Sequence, residues 1–180
     1  LAYKAGSDAI WAPSFEEIFP NGEDSHFKLT VPTSLNQHLC GKNRPGHFDG
    51  VATVMVRLLS ILRPNNLILG EKDWQQYIIL RQLIKDLAIP VKIYGVATVR
   101  DSDGLAFSSR NEYLSKAHRL QAKAVPQILA NASKESLKGE GADLKNIELL
   151  LHQKGLLVEY VEAVDPFELK PVKTGEQLCL

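Results

Sequence analysis

Asn66-Leu-Ile-Leu-Gly70, the stretch Asp73 to Leu87, and Pro90-Val-Lys-Ile-Tyr94 follow one another with only short connections. The first is a short apolar run ending in glycine and reads as a buried strand. The second sets Tyr77, Leu80, Leu83, Ile84 and Leu87 on one helical face, with Arg81, Gln82, Lys85 and Asp86 elsewhere. The third opens a strand that runs on to about Val99. Strand, helix and strand in this order predict a βαβ crossover in a parallel sheet, so the fold class is α/β.

Upstream, Val51 to Leu62 is a continuous apolar helix with little polar face, expected to be buried on most sides. Residues 40–50 read as a loop by composition. Phe27-Lys-Leu-Thr-Val31 alternates with period two and reads as a strand, as does the apolar run Asp8-Ala-Ile-Trp-Ala12, stopped by Pro13. Phe15 to Phe19 is one helical turn, closed by Pro20-Asn-Gly22. Beyond Arg110 the texture changes. Ser115 is an N-cap, and a helix runs to about Lys138 with Leu120, Ala124, Ile128 and Leu129 on one side, kinked or divided by Pro126. Gly139-Glu-Gly141 is a break, Asp143 to Gln153 a second helix bearing Leu144, Ile147, Leu150 and Leu151, and Val158 to Val164 a strand. The expected organisation is an α/β unit over 1–110 and a smaller α+β unit over 111–180.

Twenty-one Lys plus Arg balance twenty-one Asp plus Glu, so a general nucleic-acid or anionic-membrane binder is disfavoured. No run of about 18 apolar residues predicts a membrane span. Cys40 and Cys179 are too few and too far apart for a disulfide scaffold or a zinc-thiolate site, and fit a reducing cytosol. His26, His38, His118 and His152 have no ligand spacing, so no protein-held transition metal is expected. The start has neither Met nor the shape of a signal peptide, and Glu176 to Leu180 reads as a strand entering a core. The chain is therefore expected to be a piece of a longer protein.

In open parallel sheets ligands bind beyond the carboxyl ends of the strands. Gly70-Glu-Lys-Asp-Trp-Gln-Gln76 falls there. Gly70 lets the chain turn and a ligand approach, the first helical N–H groups point at an anion, and Lys72 adds a mobile positive charge suited to phosphate. Gln76 lies one turn further on. The same residues also read as an N-capping Asp73 with solvated Glu71 and Lys72. A second candidate, Asp103 to Asn111, opens on the same sheet edge, where Ser108, Ser109 and Arg110 offer hydroxyls and a guanidinium fork, or form a plain serine-rich turn. A third is Arg44-Pro-Gly-His-Phe-Asp-Gly50, with Arg44 suited to a carboxylate or phosphate and His47 to a hydrogen bond or a structural role. Kinase-type phosphate loops, dinucleotide fingerprints and hydrolase elbows are absent from the sequence.

Arg44 to Val54, Gly70 to Gln76 and Phe107-Ser-Ser-Arg-Asn-Glu-Tyr-Leu114, taken in order and spacing with Ala12 to Pro20, resemble pantothenate synthetases, the pantoate–β-alanine ligases. The resemblance runs over essentially the whole chain. It implies an incomplete Rossmann-like nucleotidyltransferase domain followed by a small C-terminal domain. It also implies ATP-dependent condensation of pantoate with β-alanine through pantoyl adenylate, with Mg²⁺ accompanying ATP, in a cytoplasmic homodimer. By position, Gly70, Glu71, Lys72 and Asp73 are then nucleotide contacts and Gln76 a pantoate contact. Val99 matches a family position that touches adenine through its backbone. Phe107, Ser108, Ser109 and Arg110 form a mobile phosphate-gripping loop, and Lys72, Ser108, Ser109 and Arg110 are the catalytic set. The family's Pro-Thr-Met-Gly loop and His-x-Gly-His motif do not occur in these residues, and Phe107 stands where Leu or Met is usual. Two other expectations stay open: a non-catalytic folded or dimerisation piece, and the ligase portion of a bifunctional fusion enzyme.

Overall fold

The structure, a computed structural model, describes residues 2–22, 25–135 and 142–172. Its centre is the expected βαβ unit. Strand β1 (Asn66–Gly70) pairs parallel with β2 (Lys92–Val96), and Gly70 stands opposite Val96, so both strands end on one edge. Between them a 3₁₀ turn (Glu71–Asp73) leads into helix α5 (Trp74–Asp86). Before β1 come α1 (Phe15–Ile18), α2 (Thr33–Asn36), α3 (Leu39–Asn43) and α4 (His47–Leu62). After β2 come α6 (Lys116–Ala122), α7 (Ala124–Glu135) and α8 (Leu144–Gln153).

Local chemistry explains the helix starts. Ser14 and Glu17 form a reciprocal capping box at α1, Ser115 accepts the His118 N–H at α6, and Asp143 accepts the Asn146 N–H at α8. Pro126 sits in the first turn of α7, where its missing N–H is harmless, and the expected long helix is accordingly divided at Lys123. That break puts Leu120 out of phase with the helix behind it, and Leu120 is exposed.

Several expectations fail. Residues 8–12 form no strand; they are exposed and have no ladder partner among the described residues. Residues 27–31 form no strand but lie along α4: Leu29 N–H donates to Thr53 Oγ1 at 2.9 Å and Val31 N–H to Asp49 Oδ1 at 2.8 Å. The period-two pattern holds at Leu29 and Val31, which are covered, and fails at Phe27, which belongs to the same side and is fully exposed; side chains of a helix replace the neighbouring strand. Leu39–Asn43 is helical rather than looped, and α4 begins at His47, behind Gly46 at φ 76°. Helix α4 is buried on one side only; Ile61 and Leu62 are about half exposed. Strand β1 is covered on alternate residues rather than buried, leaving Ile68 exposed. On α5, Ile78 and Ile79 belong to the core and Leu87 does not. Strand β2 stops at Val96, and residues 158–164 carry only a single antiparallel bridge, Val164 to Pro171. The expected end of the long helix at Lys138, the break at 139–141, the strand at 176–180 and Cys179 lie outside the described residues.

Three apolar clusters hold the chain. Val31, Phe48, Ala52 and Ile79 join the 27–31 segment to α4 and α5. Ile78, Val164 and Leu169 lay the segment after α8 against α5. Ala132, Ile147 and Leu151 join α7 to α8. No helix among the described residues is long and apolar enough to cross a membrane.

Candidate active site

A cavity of about 480 Å³ opens at the carboxyl end of β1, where the 3₁₀ turn meets α5. Lys72 and Asp73 reach it from this turn and Gln76 from α5, Arg44 from the end of α3, His47 from the start of α4, and Arg110 from the loop after β2. Three segments far apart in sequence thus bring three cations to one space. Asp73 makes no side-chain cap on α5, so the capping alternative fails and the first α5 N–H groups take no bond from it. Gly70 has φ −74°, open to any residue, so the turn does not require glycine; the place of its missing Cβ is empty. Glu71 turns toward β2, into room that Gly95 leaves: a Cβ there would stand 2.6 Å from Glu71 Oε1.

Arg44 Nη1 lies 3.2 Å from His47 Nε2. A guanidinium has no acceptor, so Nε2 receives this bond and the His47 proton sits on Nδ1. Burial first, and the Arg44 charge second, hold the His47 pKa below its ordinary value and keep the ring neutral.

The loop after β2 folds back on itself. Phe107 N–H donates to the Val99 carbonyl at 2.8 Å, and Arg100 bridges Ala106. Arg119 of α6 pins the loop base, donating to Asp101 at 2.6 Å and Asp103 at 2.8 Å. Its hydrogen bond holds the Asp103 carboxyl below the usual range. Ser108 Oγ caps the next turn, accepting the Arg110 N–H at 3.3 Å. Arg110 lines the cavity; Gly70, Glu71, Val99, Phe107, Ser108 and Ser109 stand off its wall.

Four further polar or ionisable residues at this cavity escape the sequence reading: Cys40, Gln75, Tyr160 and Glu162. Gln75 had a signal, since it shares the α5 face of the buried Ile78 and Ile79. Tyr160 and Glu162 had none, because they arrive from a segment read as a strand. Burial, then Cys40 and the nearby glutamates, push the Tyr160 phenol pKa up.

The profile of the family "Pantoate-beta-alanine ligase" matches residues 1–180. The chain belongs to this family. Similar ligase-family relatives are the "Bifunctional pantoate ligase/cytidylate kinase" of Prochlorococcus marinus (strain MIT 9313), 55% identical over 180 residues, and that of Parasynechococcus marenigrum (strain WH8102), 52% identical. The match covers 100% of this chain but 36% and 35% of those relatives, so the chain spans about a third of their length. Pantothenate synthetase from Thermus thermophilus superposes with a TM-score of 0.82 at 36% identity, covering 96% of this chain and 63% of that one. A pantoate–β-alanine ligase from Francisella tularensis, complexed with beta-gamma ATP and β-alanine, gives 0.80 at 32% identity, covering 91% and 59%. The ligase-family fold, Rossmann-like and mixed α/β with a parallel sheet, is therefore that of this chain.

Proposed function

We propose that this chain is the ligase portion of a bifunctional protein that condenses pantoate with β-alanine at the expense of ATP, its other portion resembling cytidylate kinase. The convergence of Lys72, Arg44 and Arg110 on one cavity beside a helix N-terminus carries the reading, because adenylation demands charge neutralisation more than a nucleophilic side chain. Family membership and the relatives' names support it.

The chemistry runs in two steps. A pantoate carboxylate oxygen attacks the α-phosphorus of ATP and pyrophosphate leaves, giving pantoyl adenylate. The β-alanine amine, having lost a proton, attacks the acyl carbon and AMP leaves. Lys72 and Arg110 neutralise phosphate charge, Gln76 reads the hydroxy acid, and the empty place beside Gly70 admits the nucleotide backbone contact. Ser108 and Ser109 close with Arg110 over the triphosphate, while Glu71, Asp73, Phe107 and the Val99 backbone complete the nucleotide side. Among the described residues no group of three or more His, Cys, Asp or Glu is placed for a metal. The resemblance implies Mg²⁺ carried by the phosphates of ATP, where it would supply charge neutralisation. The division near residue 110 into a nucleotide-binding part and a smaller C-terminal part, the homodimer and the cytoplasmic location rest on the resemblance.

The test is AMP release by the full-length protein. Release that requires both pantoate and β-alanine supports the function. Release independent of either acid, or none at all, overturns it and favours a non-catalytic role.

A further inference from the structure

Gln75 and Glu162 line the cavity, yet the proposed reaction gives neither a task. Both are spent on the backbone of one short segment. Gln75 is almost fully buried on α5. Its Oε1 accepts the Gly41 N–H at 3.1 Å, and its Nε2 donates to the carbonyls of Leu35 at 2.9 Å and His38 at 2.8 Å. Both amide hydrogens are thereby used, which fixes the orientation of the side chain. From the opposite side Glu162 Oε2 accepts the Leu39 N–H at 3.1 Å and lies 3.6 Å from His38 Nδ1.

One gripped residue is strained. Leu39 has φ 53°, a left-handed conformation that a bulky residue adopts only where its surroundings impose it. Gly41 permits the close approach: a Cβ there would stand 2.5 Å from the Asn36 carbonyl oxygen and 3.0 Å from Gln75 Nε2. Directly beyond this segment α3 ends, and Arg44 and His47 enter the cavity.

We infer that Gln75 and Glu162 are positioning residues, a two-sided clamp on residues 35–41 that sets the Arg44–His47 pair at the cavity. The clamp couples α5, which follows Lys72, to the segment after α8, so the cationic wall is assembled from three parts of the chain. Only its kinetic consequence rests on the proposed function.

The experiment uses the full-length protein and the NMR titration of the His47 ring, assigned through His47→Gln. Arg110, Lys72, Asp73 and Glu162 share the cavity with that ring, and Arg44 touches it. Gln75→Met and Glu162→Ala each release Arg44 and move the His47 titration up toward its ordinary value. Glu162→Gln removes the same charge but keeps an acceptor for Leu39 N–H, so its His47 titration stays below that of Glu162→Ala. The released variants also raise, at least threefold, the same KM that Arg44→Ala raises. A wild-type His47 titration in folded Gln75→Met and Glu162→Ala overturns the clamp, even if melting temperatures fall. Should Gln75→Met not fold, the Glu162→Ala and Glu162→Gln pair decides by the same reading. A protein without ligase activity overturns the proposed function, while the titration still decides the clamp.

Discussion

Trp74 donates its indole Nε1–H to the Pro166 carbonyl at 2.7 Å, tying the first residue of α5 to the segment that follows α8. The indole also stacks on Tyr77, with centroids 5.2 Å apart. Pro166 is buried between Val164 and Leu169, which pack on Ile78, so its carbonyl depends on this donor. Trp74→Phe keeps the ring and deletes the N–H. The expected loss is about 1–3 kcal/mol in denaturant unfolding of the full-length protein. Hydrogen exchange over residues 160–172 should rise with it, while unchanged exchange there contradicts the latch.

Gly41→Ala separates two opposed effects. In a helix alanine is favoured over glycine by about 1 kcal/mol. Here the added Cβ would stand 2.5 Å from a backbone oxygen, that of Asn36, which has no flexible end to swing away. Overpacking of this kind costs about 1–3 kcal/mol, so the variant is expected to melt lower than the wild type. A gain in stability on thermal unfolding contradicts the close approach.

The βαβ unit was legible because its signals are local: an apolar run ending at Gly70, an amphipathic face on 73–87, a second apolar run from Pro90. What failed was partnership. The alternation at Phe27 to Val31 reports cover at Leu29 and Val31 alone, and nothing in those residues says that Asp49 and Thr53 bond this segment. The run Asp8 to Ala12 is apolar but finds no ladder. At the site, Lys72, Gln76, Arg44, His47 and Arg110 were legible as charged or amide residues in loops and at helix starts. Gln75 was masked by its neighbour Gln76, and Tyr160 and Glu162 by distance along the chain, since the packing of Val164 and Leu169 on α5 brings them in.

Asp103 gives a pH signature. Its folded pKa lies below the ordinary 3.8, through the Arg119 hydrogen bond before any other favourable cause. A depressed carboxylate contributes stability that is present above the unfolded pKa and is lost as pH falls through the folded pKa. Arg119→Gln should therefore melt lower than the wild type at neutral pH. The gap should narrow as the pH drops below 3.8. A gap that is constant from neutral to acid pH removes Asp103 from the account of how the Ser108–Arg110 loop is anchored.

Lys72 faces the phosphate charge that builds during adenylation, and rapid-quench measurement of pantoyl adenylate formation by the full-length protein reads its effect on that step. Removing one preorganised donor to developing charge costs roughly 2.7–4 kcal/mol, so Lys72→Ala is expected to slow adenylate formation by on the order of 10²-fold or more. Gln76→Ala, run beside it, should raise the pantoate requirement more than the ATP requirement. A Lys72→Ala enzyme within about threefold of the wild type in rate and ATP affinity, roughly 0.65 kcal/mol, contradicts the account and makes Lys72 a solvated surface residue.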